Sequence, residues 1–271
     1  MSVAPPPPPL SPAERPPAPS AVEAAGQVMV RQLRAGLGGK RALAAAVLAA
    51  LAPALAWIIR DDDPVILVRL VVLLLLQFLL PLVAVSLGSG LLYDDAEEGT
   101  LTFLFTAPVS KPAIVLGKWS AALITGWTIA SLSLGATLLL TAADTSRLGE
   151  FERSCWFAVL LGTPAYLGMF VLLGTIFRRG FLAGLIYAFG YEIVVGYIPG
   201  AAKRLSLSFF LRSLLEPVAP AKEPFEGAFV GLAADPPGVC TAVLVGVALV
   251  SVAAALLIVP WKEFQARNVQ G

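Results

Sequence analysis

Val65-Ile66-Leu67-Val68-Arg69-Leu70-Val71-Val72-Leu73-Leu74-Leu75-Leu76-Gln77-Phe78-Leu79-Leu80-Pro81-Leu82-Val83-Ala84-Val85-Ser86-Leu87-Gly88 carries a single charge, and the apolar run continues to about Tyr93. About 20 such residues suffice to cross a ~30 Å hydrocarbon core as a helix, so the excess implies tilt or extension past the bilayer. The run must be helical, because lipid offers backbone amides no partners. Arg69 near its outer end can snorkel to the surface.

The same reading extends in both directions. Further spans are expected at about Ala42–Ile59, Trp119–Thr141, Trp156–Phe177, Phe181–Ile198 and Val239–Pro260, about six in all, in an all-α polytopic membrane protein. The chain is 58% hydrophobic and 14% charged, with a mean hydropathy of +0.83, beyond the usual range of soluble domains. Nineteen basic and 18 acidic residues leave a net charge of +1, which points to no nucleic-acid partner. With no histidine and two cysteines, no bound metal site is expected, which leaves a metal ion open only as transported cargo. Cys155 and Cys240 fall near outer span ends. They read either as two separate buried thiols or as a pair, if their Cα atoms approach within ~7 Å.

Before the first span, Met1 to Ser20 is rich in proline and reads as a disordered cytosolic tail, leaving 21–271 as the membrane domain. Val22, Ala25, Met29, Leu33 and Leu37 then recur at helical spacing opposite Glu23, Gln27, Arg31 and Arg34, the pattern of an amphipathic helix lying on the membrane. Orientation follows from basic flanks. Arg31, Arg34, Lys40, Arg41, Lys111, Lys118, Arg178, Arg179, Lys262 and Arg267 fall on one side. Arg60, Arg147, Arg153, Lys203, Arg204, Arg212 and Lys222 fall on the other. The first side is expected to be cytosolic, with both termini. In the long outer segment Gly200 to Gly238, Leu207, Phe210, Leu211, Leu214, Leu215 and Val218 form one apolar stripe, opposite Ser208, Arg212 and Glu216. A short helix is expected there, resting on the outer surface or capping the bundle, and ended by Pro217 and Pro220.

Behind the opening stretch comes a charged loop. Asp94, Asp95, Glu97 and Glu98 precede a turn at Gly99, and Leu101, Leu104 and Phe105 follow at helical spacing. Pro108 breaks this piece, Ser110 can cap the next, and Ala113 to Lys118 runs into the third span. Two short helices on a proline hinge form a knuckle able to pass a push into two spans; the plain alternative is a solvated loop. Inside the fifth span Glu192 carries a burial cost of at least ~2.5–3.5 kcal/mol. It suits either a substrate path or an interior acid hydrogen-bonded by Tyr187, Tyr191 or a neighbouring span, and Gln77 is a weaker case of the same kind. Small residues at Gly180–Gly184 and Ser86–Gly90 suit close helix packing within the chain, or a dimer seam.

Glu98-Gly99-Thr100-Leu101, Thr106-Ala107-Pro108-Val109-Ser110 and Ile114-Val115-Leu116-Gly117-Lys118, in that order, resemble the signature of ABC-2-type permeases, the membrane subunits of type V ABC transporters. The resemblance implies that Glu97, Glu98, Gly99, Thr100, Leu101, Leu104, Phe105, Pro108, Val109, Ser110, Lys111, Gly117 and Lys118 meet a separate ATP-binding subunit. It further implies a second permease copy as a homodimer, a bacterial cytoplasmic membrane, and ATP and Mg held on the partner. No catalytic residue is expected in this chain. A phosphate-binding G-x-x-x-x-G-K-[ST] loop is not formed, since Pro112 stands where its first glycine belongs and Trp119 follows Lys118. Export is the expected direction, with mechanical work on an extracytoplasmic assembly as a variant. The alternative is an ATP-independent scaffold or secondary transporter whose loop binds another protein. No span carries a ligand set that names a substrate.

Overall fold

The computed structural model describes residues 20–36, 39–59, 64–89, 91, 111–141, 149–198, 200–225 and 232–261. Among them every regular element is helical, and the chain is an all-α polytopic membrane protein. Helix α1 covers Ala21–Gly36 and α2 Gly39–Ile59. Helix α3 runs over 64–88 with a π-helical stretch at Leu70–Leu79. Helices α4 (Lys111–Thr141) and α5 (Gly149–Ile176) follow. Helix α6 covers 180–197, π-helical over Ile186–Tyr191, α7 is Leu207–Leu215 and α8 is Pro237–Ile258.

Among the described residues, four helices are long and apolar enough to cross a membrane: Val65–Gly88, Pro112–Thr141, Gly149–Ile176 and Pro237–Ile258. The first and fifth expected spans contain shorter apolar stretches, Ala46–Ile59 and Gly180–Gly196. In α2 the cations Lys40 and Arg41 occupy the first turn. At the end of α6, Ile198 turns extended as the following Pro199 demands. The solvent-facing side chains of the spans are themselves apolar, among them Leu132, Leu139, Leu249 and Val250, a surface suited to lipid and costly in water.

Helix α5 is the hub, packed against α3, α4, α6, α7 and α8. Its Phe151, Cys155, Tyr166 and Phe170 are fully buried. Both cysteines are free and buried, and the Cys240 thiol donates to the Asp235 carbonyl at 3.5 Å. Helices α1 and α2 lie outside this core, both against α4. One end of the bundle therefore carries α1, the other α7.

Close contact at the α1 end depends on small side chains. A Cβ on Gly174 would strike the Ser89 carbonyl, and one on Gly180 would meet the Cα of Gly174 at 2.6 Å. On Gly184 it would strike Val85, and on Gly88 it would sit 3.2 Å from the Leu167 carbonyl. The two small-residue motifs thus meet each other within one chain.

In α6 the buried positions Gly180, Gly184, Ala188 and Glu192 recur every fourth residue. An α-helix of 3.6 residues per turn swings such a stripe by about 40° at each step. The wider π turns between Ile186 and Tyr191 hold it in line, and the Glu192 N–H bonds to the Tyr187 carbonyl five residues back.

Candidate functional site

Two places join the chemistry-bearing residues to the frame. At the α1 end, Ser20 and Glu23 form a capping box: the Glu23 N–H donates to Ser20 Oγ at 3.3 Å and the Ser20 N–H to Glu23 Oε2 at 2.9 Å. The bond from the Ser20 N–H foremost, with the Ser20 hydroxyl beside it, holds the Glu23 carboxyl below the usual glutamate range. Helix α1 then lies on the first turns of α4. Gly117 is the point of closest approach, since a Cβ there would collide with the Ala25 carbonyl and reach Val28 at 3.0 Å. The buried face of α1 consequently centres on Ala24 and Ala25, and Val22, expected in the apolar stripe, is 83% exposed. The bare glycine lets α1 approach closely enough for Ala25 and Val28 both to lie against α4. Glu23, Gln27, Arg31 and Arg34 stand exposed together, as expected.

Immediately after Gly117, Lys118 is 4% exposed, and its Nζ donates to the Leu91 carbonyl at 2.7 Å. This bond ties the continuation of α3 to α4 across 27 residues. Helix α4 is continuous from Lys111, so the second piece of the knuckle is its first two turns, with Pro112 in the opening turn where its missing N–H costs nothing. Glu97, Glu98, Gly99, Thr100, Leu101, Leu104, Phe105, Pro108, Val109 and Ser110 lie outside the described residues, as do the tail 1–19, the charged turn 60–63 and the Lys111 side chain. Of the expected contact residues, Gly117 and Lys118 are therefore the two whose side-chain surroundings are defined.

The second place is Glu192, 3% exposed and twelve residues, about 18 Å, along α6 from Gly180. Its Oε1 accepts the Leu207 N–H at 3.0 Å, and its Oε2 accepts the Ser208 N–H at 3.1 Å. Ser206 Oγ donates to Oε2 at 2.5 Å and the Tyr166 hydroxyl at 3.5 Å. Behind them Ser208 Oγ lies 2.7 Å from Ser206 Oγ and accepts from Arg212 at 3.0 Å. Glu192 thus caps α7 from another helix, placing a carboxylate where the first N–H groups and the dipole of α7 favour it. The position Ser206 would ordinarily fill as N-cap makes no cap bond of its own; its hydroxyl serves Glu192 instead.

Helix α7 does not lie on the surface. Leu207 to Leu211 and Ser213 to Leu215 are all buried, and a Cβ on Gly162 would meet Leu211 Cδ2 at 3.0 Å. Gly162 is the midpoint of α5, so α7 enters the bundle from its end to about half depth. Of the two expected placements, capping the bundle is the observed one. The segment that leads to α7 is fixed as well: Arg204 makes a two-point bond to Asp235 at 2.9 and 2.5 Å, tying it to the start of α8. Gln77 is half-buried in the π stretch of α3 and is not among the hydrogen-bond partners of Glu192.

Sequence reasoning placed Ser208 only on the polar face of α7 and did not single out Ser206, Leu91 or the Arg204–Asp235 pair. Ser206-Leu-Ser ahead of an apolar stripe is an N-cap signal, and it marked the place at which Glu192 acts. Nothing local marks Leu91, which contributes only a carbonyl.

A family model described as ABC-2 family transporter protein matches residues 19–259. The chain belongs to this family. The match starts beside the capping box of the ABC-2 chain and runs to the end of α8, so α1, the α4 root of the loop, Glu192 and α7 all fall inside it. No curated protein matches the chain. As an ABC-2 family transporter protein, it is a membrane-embedded permease subunit.

Proposed function

We propose that this permease is driven by a separate ATP-binding subunit seated on the loop between α3 and α4 and on the exposed face of α1. The observation that carries the reading is the Lys118–Leu91 bond, which makes the two roots of the loop one mechanical unit. With Gly117 closed onto α1, a displacement of the loop is delivered to three helices together. Closure of the partner subunit on ATP and Mg biases such a two-state element, and the permease answers by repacking α3 and α4. The chain itself does no bond chemistry. A second copy completes the path, the α1 end and both termini face the cytosol of a bacterial cell, and the direction is export.

The test is the variant L104D/F105D. Two charges buried unpaired at a seated interface cost several kcal/mol, enough to reduce affinity by orders of magnitude. The membrane-inserted variant should lose the ATPase in pull-downs and leave its hydrolysis unstimulated. A variant that retains a bound, stimulated ATPase would refute the proposal; a wild-type chain that captures a protein without a phosphate-binding loop would favour the scaffold reading.

A further inference from the structure

A trough along α6 ends in two cations at the α1 end of the bundle. Phe177, Leu182 and Ile186 form its walls and are all exposed. Arg178 and Arg179, in the turn joining α5 to α6, stand at its mouth. Tyr187 and Tyr191, with ring centroids 5.2 Å apart, close the far end. From Arg179 to Tyr191 is twelve residues, about 18 Å of helix, which matches the ~15 Å depth of one bilayer leaflet. Both guanidinium groups are exposed, and no carboxylate among the described residues is recorded in an ion pair with either.

We propose that this trough holds an anionic glycerophospholipid of the leaflet at the α1 end, one acyl chain along α6 and the headgroup phosphate on Arg178 and Arg179. The length fits one chain, the wall is apolar where the chain lies, and the positive charge sits where the headgroup plane falls. Arginine suits the phosphate through its planar fork of donors. Nothing in this assignment depends on an ATPase partner or on transport.

The full chain in nanodiscs of mixed phosphatidylglycerol and phosphatidylcholine should co-purify with phosphatidylglycerol above its bulk fraction, counted by native mass spectrometry. Each basic residue near a charged surface contributes about fivefold to such a preference, so R178Q/R179Q should lower it by about 25-fold. Both side chains are exposed, and folding should be untouched. Ile186→Trp, which fills the trough and keeps both charges, should also displace the lipid. Retention unchanged in both variants would overturn the site. Efficient disulfide cross-linking of Ile186→Cys between two copies would also overturn it, showing the trough to be an interface of the permease with itself.

Discussion

Glu192→Ala leaves the Leu207 and Ser208 amides buried without an acceptor, each at a cost of about 1–3 kcal/mol. Its thermal stability should fall by several degrees in detergent. Glu192→Gln offers one oxygen in place of two and puts an NH2 group against an N–H, so it should insert normally, be less stable than wild type, and loosen α7. A thiol-reactive probe at Ser213→Cys, buried in the parent, should report the loosening. A glutamine variant as stable as wild type with the probe still excluded would show that the charge does not hold α7, and would leave the substrate path as the remaining role. Glu23 acts at the other end. Its folded pKa is lowered, so the capping box contributes stability above the ordinary glutamate value of about 4.3 and loses it as pH falls through the folded value. A spin label at exposed Val22→Cys should gain mobility on acidification below that range, and in Glu23→Ala it should be mobile at every pH.

At the scale of elements, Gly117 and Gly246 make a matched pair, since both lie inside helices but only the first is in contact. Gly117→Ala should push α1 off α4, because its Cβ meets a carbonyl that cannot move alone. Gly246→Ala meets nothing within 4 Å and should be neutral or stabilising by about 0.4–1 kcal/mol. Melting curves of the two variants, with cross-linking between α1 and α4 as the local readout, would decide it. The glycine contact also explains what could be read from the chain unaided. Runs of apolar residues mark spans because lipid imposes helicity on each one separately, and the stripe Leu207 to Leu215 marks α7 because its period is local. Of the α1 stripe read from the spacing, Ala25, Met29 and Leu33 are half-buried and Val22 is exposed; that the closest contact falls at Ala25 depends on a glycine about ninety residues away, which local spacing does not show. Glu192 was legible as an anomaly and its partners were not, because the cap it supplies belongs to a helix that follows it by fifteen residues. The π stretches at Leu70–Leu79 and Ile186–Tyr191 leave no compositional trace.

For the whole molecule, an impermeant maleimide applied to intact cells should label Asp62→Cys and Glu223→Cys and spare Ser110→Cys, in a chain lacking Cys155 and Cys240. Labelling of Ser110 alone would invert the arrangement. The two ends so distinguished differ in what holds them. Around Gly88, Gly174, Gly180 and Gly184, neighbouring helices touch through main chain and Cβ atoms, and hard-core repulsion resists sliding in either direction without any charge being involved. At the opposite end the fastening is a carboxylate with its donors and a guanidinium–carboxylate fork. Such bonds weaken steeply with small displacements, and inside the bundle a stretched one leaves buried groups without a partner. On the proposed coupling, load applied through the rigid end would be carried along α3, α5 and α6, and the polar latches at the far end would be the first to yield. On that proposal the permease would have its fulcrum and its catch at opposite ends.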